Sequence, residues 1–468
     1  MSEKNIIYPY IPNSVPEIKA QMLQAVGVKD IMELYSEIPE HLRFHGRMNL
    51  PEPILDECSL RRHIDGFLNK NKNCSEYLNF LGAGCAQHYV PAVCDEINGR
   101  GEFLTAYGGD PYADLGKAQA LFEYASLMGE LLDMDVVNGP VYDGLNAAAK
   151  ALRMAYRLTG REEALLPKSM SPDALMVVKN FLGGVPEPVL TIQMIEFDPK
   201  TGLLNLADLK SKISFKTAAV FIENPTYLGV IETQAEEIGA IARDNGAEYI
   251  VYTDPISLGA ISPPAQYGAT IACGDFQTLG IHMQYGGGHG GFIASGSEMR
   301  YISELPDVIY GLTETNKEGE YGFGHVMFER TSYGSREKGK DFTGTQTSLW
   351  AITAGVYLTL MGPKGMEEIG QTIMQKAQYA AKCISEIDGI ELTFSSPFFK
   401  EFVVNFDKAG KTVKEINKAL LDYKIFGGKD LSKEFPELGR SALYCVTEIK
   451  TKEDIDMLVK ALKQVTTQ

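Results

Sequence analysis

The chain has 468 residues, 44% hydrophobic residues and a mean hydropathy of −0.11, which are typical of a globular protein long enough for more than one domain. Its net charge of −17 argues against nucleic-acid binding, because phosphate contacts need clustered lysine and arginine. No apolar stretch approaches the roughly 18–20 residues that span a bilayer, and the N-terminus lacks the apolar core of a signal peptide, so we expect a cytoplasmic protein without membrane contact.

Residues 1–75 are predicted to form a charged, helical N-terminal segment. A first helix is expected over Pro16–Val26, with Ser14 as its cap, and a second helix is expected to open at Ser59, with apolar positions at helical spacing. Residues 76–345 are predicted to form a large α/β domain, and residues 346–468 a smaller C-terminal α/β domain.

Two glycine-containing loops open the large domain. The first, over residues 81–91, contains His88 and can cradle a phosphate before a helix, although an ordinary tight turn has the same pattern. The second, over residues 105–116, places Tyr107 and Tyr112 among three glycines before a helix that begins near Lys117. Mobile tyrosines suit a substrate lid, and a rigid surface loop remains the alternative.

A third loop, over residues 138–144, leads into an alanine-rich helix over residues 145–155. Such a helix N-terminus can hold the phosphate of a cofactor through its backbone N–H groups. The loop is poor in serine and threonine. We therefore expect it to keep this architecture without necessarily keeping the ligand.

The centre of the chain predicts a parallel sheet. Ala218–Ile222 and Tyr249–Tyr252 are short unbroken apolar runs, and Ala235–Asp244 between them is an amphipathic helix. This order is a βαβ unit with a right-handed crossover. Asn224 directly follows the first strand, at the carboxyl end where open α/β sheets place their binding sites, so it is a candidate site residue.

The distribution of lysine is the most informative feature of the same region. The strand at Tyr249–Tyr252 ends in Thr253-Asp254, and a glycine cluster follows at residues 286–291. In pyridoxal-phosphate enzymes of this kind, an aspartate pairs with the pyridinium nitrogen and a later lysine forms the Schiff base. The chain has 31 lysines, yet none lies between Lys216 and Lys317. The frame of such an enzyme is present without its covalent anchor, and we infer that a partner chain supplies the lysine.

The C-terminal part alternates again between helices and strands. Helices are predicted over residues 346–360 and 365–387, interrupted at Met361-Gly362-Pro363. Strands follow over residues 390–394 and 401–406, and further helices over residues 413–421 and 452–465. The seven scattered cysteines form no CxxC pair and the histidines show no HExxH motif, so we expect no disulfide framework and no metal site.

Several motifs, in order from about residue 8 to beyond residue 365, resemble subunit 1 of glycine decarboxylase, the α subunit of the two-chain P-protein of the glycine cleavage system. The motifs are Tyr8-x-x-Ile11-Pro12, Pro39-Glu40-x-Leu42-Arg43, Gly82-Ala83-Gly84, His88-Tyr89-x-Pro91-Ala92-Val93, Tyr142-Asp143-Gly144, Asn224-Pro225-x-x-x-Gly229-Val230-x-Glu232, Asp254-Pro255-Ile256-Ser257-Leu258-Gly259, Gln277-x-Leu279-Gly280-Ile281 and Arg336-Glu337-Lys338.

The resemblance implies the pyridoxal-phosphate-dependent transferase fold type I and an α2β2 assembly. In that family the β subunit carries the Schiff-base lysine and the α subunit has lost it, which places Thr278 about where the lysine would stand and leaves Asp254 as a vestige. The implied reaction is decarboxylation of glycine on pyridoxal phosphate held by the partner, with transfer of the aminomethyl group to the lipoyl arm of H-protein. Tyr107, His88 and Asn224 are the residues expected to contribute to the shared active site at the interface.

The chain departs from the family pattern in two segments. The loop from Tyr107 reads Tyr-Gly-Gly-Asp-Pro-Tyr-Ala-Asp, where the family usually has Tyr-Thr-Pro-Tyr-Gln-Pro-Glu, and residues 339–347 replace the usual Ala-Thr-Ser-Asn-Ile-Cys-Thr-Asn-Gln. Three hypotheses therefore stay open: a glycine decarboxylase subunit, a subunit of a divergent decarboxylase with another amino acid as substrate, and a non-catalytic structural or regulatory partner.

Overall fold

The structure of the chain is a computed structural model that describes residues 7–46, 48–104, 115–183 and 189–467. It separates into two compact units, Met1–Lys72 and Asn73–Gln468. The division into three domains at residues 75 and 345 stays a prediction. Among the described helices, none is both long and apolar enough to cross a membrane.

The N-terminal unit contains helix α1 (Pro16–Val26) and helix α2 (Glu57–Leu68). The bounds of α1 match the prediction, but its cap does not: Val15 is the N-cap residue, and the Ser14 hydroxyl turns back to the carbonyl of Ile11. Helix α2 begins two residues before the predicted Ser59, because the Asp56 carboxylate accepts a hydrogen bond from the Ser59 N–H and caps it.

The second unit contains the strands and the remaining described helices. The strands are β1 (Leu78–Asn79), β2 (Val136–Val137), β3 (Glu163–Pro167), β4 (Thr191–Ile195), β5 (Thr217–Glu223), β6 (Glu248–Thr253), β7 (Ile271–Asp275), β8 (Gly291–Ser295), β9 (Ile309–Glu314), β10 (Tyr321–Val326), β11 (Glu391–Leu392), β12 (Glu401–Asn405), β13 (Ile425–Phe426), β14 (Lys429–Asp430) and β15 (Ser441–Cys445). The helices are α3 (Ala92–Asn98), α4 (Gly101–Leu104), α5 (Leu115–Leu132), α6 (Gly144–Thr159), α7 (Pro172–Leu182), α8 (Leu206–Lys212), α9 (Ala235–Asp244), α10 (Met299–Ile302), α11 (Ser332–Ser335), α12 (Ser348–Ser385), α13 (Val413–Leu420) and α14 (Lys452–Thr467).

In the described part of the chain, the large sheet has seven strands in the order β2-β8-β7-β6-β5-β3-β4. Strands β4, β3, β5, β6 and β7 run parallel, and β8 and β2 pair antiparallel at one edge. The predicted βαβ unit is confirmed: β5 and β6 pair in parallel, and α9 connects them with the predicted bounds. All seven residues of β5 are buried, as expected for a strand covered on both faces.

Helices cover both faces of this sheet. One core joins α5 and α12 to the sheet through large side chains such as Tyr124, Phe276 and Tyr357. A second core joins α6 to the opposite side through its alanines and Leu152, which pack against residues such as Phe221. Small residues on α6 allow the helix to lie close to the strands, and this brings its N-terminus to the carboxyl edge of the sheet.

The C-terminal part contains an antiparallel sheet of four strands, β11-β12-β15-β14, which packs against α13 and α14 and the end of α12. Helix α12 runs across the predicted interruption, but Gly362 within it has φ 58° and ψ 179°, so the helix kinks where the sequence predicts a break. The predicted strand over residues 390–394 is shorter, since only Glu391–Leu392 pairs with β12. The helices α13 and α14 confirm the prediction within two residues.

Candidate functional site

The carboxyl ends of β5, β6 and β7 meet at a cavity of about 430 Å³. This is the edge of an open parallel sheet at which binding sites form. The N-terminus of α6, the start of β12 and the glycine turn at residues 82–84 close the other sides. The cavity contains the residues that a cofactor of the predicted fold would have to meet.

Asp254 directly follows β6 and is the residue expected to face a pyridinium nitrogen. Its Oδ2 atom lies 2.6 Å from the Nζ atom of Lys400, and its Oδ1 atom accepts a 2.9 Å hydrogen bond from the Thr278 hydroxyl. Burial by itself raises the pKa of Asp254, but the Lys400 ammonium more than offsets this effect and holds the pKa below its ordinary value. The same pairing raises the pKa of Lys400 although burial opposes it. Both groups are therefore charged at neutral pH.

His88, one of the predicted site residues, lies behind Lys400. Its Nε2 atom is 3.5 Å from the Nζ atom of Lys400, and its Nδ1 atom is 2.8 Å from a carboxylate oxygen of Glu448. Burial raises the pKa of Glu448, but His88 and the Tyr89 N–H lower it by more, so the net shift is downward. The structure thus brings His88 and Asp254 into one chain of polar contacts, joined by Lys400.

The N-terminus of α6 is the place expected to hold a phosphate. Here the Gly144 N–H donates a 2.8 Å hydrogen bond to Oδ2 of Asp275, and the Asn146 N–H donates a 2.7 Å hydrogen bond to Oδ1 of Asp143. A Cβ atom on Gly144 would lie 2.3 Å from the Tyr252 hydroxyl oxygen and 2.8 Å from the Cβ of Asp275. The helix N-terminus is therefore in direct contact with the strand ends and already binds two carboxylates.

His289, from the glycine cluster, is part of the same contact. Its Nδ1 atom lies 3.1 Å from Oδ2 of Asp275. Burial lowers the pKa of His289, but hydrogen bonds with Asp275 and Cys85 raise it to about 11. The imidazolium and the Asp275 carboxylate consequently neutralise each other.

Two further acids line the cavity wall. Oε2 of Glu223, at the end of β5, accepts a 2.9 Å hydrogen bond from the Tyr227 N–H, and Oε1 of Glu401, at the start of β12, accepts a 2.6 Å hydrogen bond from the Ala83 N–H. Burial raises the pKa of Glu223 to about 7, and it also raises the pKa of Glu401. The Ala83 N–H, which the sequence offered as a possible phosphate donor, is thus bound to a carboxylate of the chain itself.

The donor set does not fit pyridoxal phosphate. Lys400 already pairs with Asp254, Asp275 already binds the helix N-terminus, and Thr278, at about the position where the resemblance implies the lysine, has no amine. Among the residues that line the cavity, the only cationic side chains are Lys400 and His289, and both have acidic partners. No step of catalysis is therefore assigned to a cofactor in this cavity.

The other predicted site residues lie elsewhere. Asn224 is buried and its Oδ1 atom accepts a 3.0 Å hydrogen bond from the Glu232 N–H, so its amide group stabilises the turn after β5. Tyr107 and the predicted lid loop lie outside the described residues. The roles of Tyr107, His88 and Asn224 at a shared interface stay predictions.

Sequence reasoning missed Lys400, Asp275 and Glu448. Lys400 and Glu401 are charged residues directly before an apolar strand, which is an ambiguous signal because strands often begin with solvated charges. Asp275 ends a buried apolar strand and shares that position with Asp254, so the same argument that singled out Asp254 could have found it.

A comparison with protein families matches residues 9–462 to the glycine cleavage system P-protein. Similar curated proteins include two described as probable glycine dehydrogenase (decarboxylating) subunit 1. The protein from Staphylothermus marinus is 41% identical over 98% of both chains. The protein from Carboxydothermus hydrogenoformans is 39% identical over 97% of this chain and 99% of its own.

The chain is also similar to solved structures. A glycine decarboxylase (P-protein) of the glycine cleavage system, in inhibitor-bound form, has a TM-score of 0.85 and 29% identity, over 98% of this chain and all of that one. A sphingosine-1-phosphate lyase from Burkholderia pseudomallei has a TM-score of 0.65 at 15% identity, over 92% of this chain and 94% of its own, which is a likeness of fold. The predicted fold, the pyridoxal-phosphate-dependent transferase fold type I with a mainly parallel sheet, is confirmed.

Proposed function

The chain belongs to the glycine cleavage system P-protein family, and we propose on this basis that it is subunit 1 of a glycine dehydrogenase (decarboxylating). The observation that carries the proposal is the combination of similarity to proteins of that name over 98% of both chains with the absence of lysine between Lys216 and Lys317. A subunit without its own anchor is active only together with a chain that has one.

The proposed complex joins this chain to a homologous, lysine-bearing β subunit as α2β2. Pyridoxal phosphate, bound covalently to the β subunit, supplies the electron sink for the decarboxylation of glycine. The aminomethyl group then passes to the lipoyl arm of H-protein. This chain contributes part of the wall of the partner's site, with Tyr107 as the proposed contact residue. The cytoplasmic location stays a prediction.

An exposed apolar face on the N-terminal unit supports the proposal that the chain has an obligate partner. In α2, Leu60, Ile64, Phe67 and Leu68 form one apolar stripe at helical spacing, and all four side chains are exposed. Neither α1 nor α2 has a buried residue. An exposed apolar face of this kind indicates a protein interface. We propose that the β subunit covers it.

Reconstitution tests the function. The chain and its lysine-bearing partner, mixed with pyridoxal phosphate and lipoylated H-protein, should exchange bicarbonate with the carboxyl carbon of glycine, whereas neither chain alone should do so. Exchange by the partner alone at the full rate would leave this chain without a catalytic role and favour a structural or regulatory subunit.

A second candidate is a subunit of a related decarboxylase with another substrate. Residues 339–347, which depart from the family pattern, are held to α6 by specific contacts: Asp341 pairs with Arg153 and Arg157, and the Thr343 hydroxyl lies 2.5 Å from the Nζ atom of Lys150. A divergent segment with its own set of partners is consistent with an altered site. The same assay with bulkier amino acids decides between the two candidates, since a higher kcat/KM than with glycine would identify the paralogue.

A further inference from the structure

We propose that this chain pairs the binding groups of its own cofactor cavity with charged side chains and thereby excludes pyridoxal phosphate in non-covalent form as well. Lys400 takes the place of the pyridinium nitrogen, and Asp275 takes the place of the phosphate. The inference goes beyond the missing lysine. Loss of the Schiff base removes only the covalent bond, so by itself it would still allow the cofactor to bind non-covalently. It is also independent of the substrate that the complex uses.

The first replacement is at the aspartate. A protonated ring nitrogen is the cation that a fold of this type brings to its strand-end aspartate. Here the Lys400 ammonium forms a 2.6 Å ion pair with Oδ2 of Asp254, which accepts no hydrogen bond, and the Thr278 hydroxyl donates a hydrogen bond to Oδ1. A ring that entered would have to separate a largely buried ion pair and leave the Lys400 ammonium without its counter-charge, which is strongly unfavourable.

The second replacement is at the N-terminus of α6. Backbone N–H groups at this position bind anions, and the anion here is the Asp275 carboxylate on Gly144. The 2.3 Å separation between the Tyr252 hydroxyl oxygen and a Cβ placed on Gly144 shows that the helix and the strand ends are in contact. A phosphate group that used the Gly144 N–H would therefore have to displace the Asp275 carboxylate.

The negative charge of the cavity wall also disfavours the binding of a phosphate group. Asp143 and Asp275 line the cavity at the N-terminus of α6, and a phosphate ester carries a charge of about −1.5 to −2 near neutral pH. The cations available to it, Lys400 and His289, are both paired. A dianionic ligand therefore meets repulsion without a free counter-ion.

Calorimetry on the full-length chain tests the proposal with ligands that need no lysine. The wild-type chain should bind none of pyridoxamine 5′-phosphate, pyridoxamine or inorganic phosphate. Lys400→Met should gain affinity for pyridoxamine, and Asp275→Ser should gain affinity for inorganic phosphate. The double variant should bind one pyridoxamine 5′-phosphate per chain, at least about 100-fold more tightly than the wild type. Each of the two substitutions should raise the affinity about tenfold, which corresponds to about 1.4 kcal/mol.

Matched controls are Lys364→Met and Asp388→Ser, which change exposed residues of the same types away from the cavity and should bind nothing. Stoichiometric binding of pyridoxamine 5′-phosphate by the wild-type chain would overturn the proposal. A double variant that is folded by circular dichroism and still binds no better than the wild type would overturn it equally.

A further variant tests the proposal with both the Lys400–Asp254 and the Asp275–Gly144 contacts intact. Thr278→Lys restores an amine at the vestigial position and leaves Lys400 and Asp275 in place. With pyridoxal phosphate and borohydride, we expect no cofactor fixed to the introduced lysine. Stoichiometric fixation there would mean that the two side chains do not exclude the cofactor, and the proposal would fail even if the other variants did not fold.

Discussion

Lys400 and Asp254 form an ion pair of 2.6 Å between two different sheets: Asp254 follows β6 of the large sheet, and Lys400 precedes β12 of the small one. The pair is largely shielded from water, with 10% and 20% of the two side chains exposed. It therefore connects the two sheets as well as lining the cavity, and its removal should lower the stability of the chain.

Lys400→Met should lower the free energy of unfolding by about 3 kcal/mol, the range for removing one partner of a buried pair. The loss leaves the Asp254 carboxylate in the cavity without its counter-charge. Urea unfolding of both chains at pH 7 measures the difference. Lys364→Met, at an exposed position of α12, should change the value by less than about 0.5 kcal/mol. In Asp254→Asn, the additional effect of Lys400→Met should be much smaller, and equal effects in both backgrounds would contradict the coupling.

Glu223 should make the stability depend on pH. Its pKa is about 7 in the folded chain, against an ordinary value of 4.5. Between these two values the folded state binds more protons than the unfolded state, so the free energy of unfolding falls as the pH rises from 4.5 to 7. Glu223→Gln removes this dependence and should be more stable than the wild type at pH 8, by about 2 to 3 kcal/mol. Urea titrations of the wild type and Glu223→Gln across this pH window measure the free energy of unfolding, and Glu386→Gln is the exposed control. If the free energy changes equally with pH in the wild type and in Glu223→Gln, the hypothesis is wrong.

Asp341 should hold the divergent segment in place. It pairs with Arg153 and Arg157 of α6, so Asp341→Asn removes the carboxylate that pairs with Arg153 and leaves Arg157 with Glu304 alone. We expect a loss of about 1 to 3 kcal/mol of stability and faster cleavage between residues 336 and 347 in limited proteolysis. Asp388→Asn, on an exposed turn, is the control. Unchanged cleavage would mean that the segment is held by its other contacts.

The apolar stripe of α2 should be needed for assembly. Phe67→Asp places a charge in the stripe and should lower the affinity for the β subunit at least about 10-fold, because a desolvated charge at the centre of an interface is unfavourable. Analytical ultracentrifugation of mixtures with the partner measures this. Arg62→Asp changes the same helix outside the stripe and should assemble normally. A complex of undiminished stability with Phe67→Asp would move the interface elsewhere.

Tyr107 should act in the reconstituted complex. If its hydroxyl contacts substrate or cofactor across the interface, Tyr107→Phe should lower kcat/KM by roughly 10-fold, the equivalent of about 1.4 kcal/mol in the transition state. Assembly and cofactor content should stay unchanged. Tyr423→Phe serves as the control at a partly exposed tyrosine. Unaltered kinetics for both Tyr107→Phe and Tyr112→Phe would assign the loop a structural role.

The sequence by itself determined the central βαβ unit, the kink in α12 and the lysine-free stretch. The βαβ unit over β5, α9 and β6 follows from apolar periodicity, which is a local property. The kink at Gly362 follows from the conformational limits of glycine and proline. The absence of lysine between Lys216 and Lys317 is visible by inspection.

The tertiary structure alone decided what replaces the cofactor. Lys400 reaches Asp254 because β12 begins beside the end of β6, and Asp275 reaches Gly144 because the small residues of α6 let that helix lie close to the sheet. These contacts join residues far apart in the chain, and periodicity carries no information about such distances. A lysine before a strand and an aspartate at a strand end are common in sequences. Only packing, which removes both from water and sets them against Asp254 and the N-terminus of α6, makes them substitutes for a ligand.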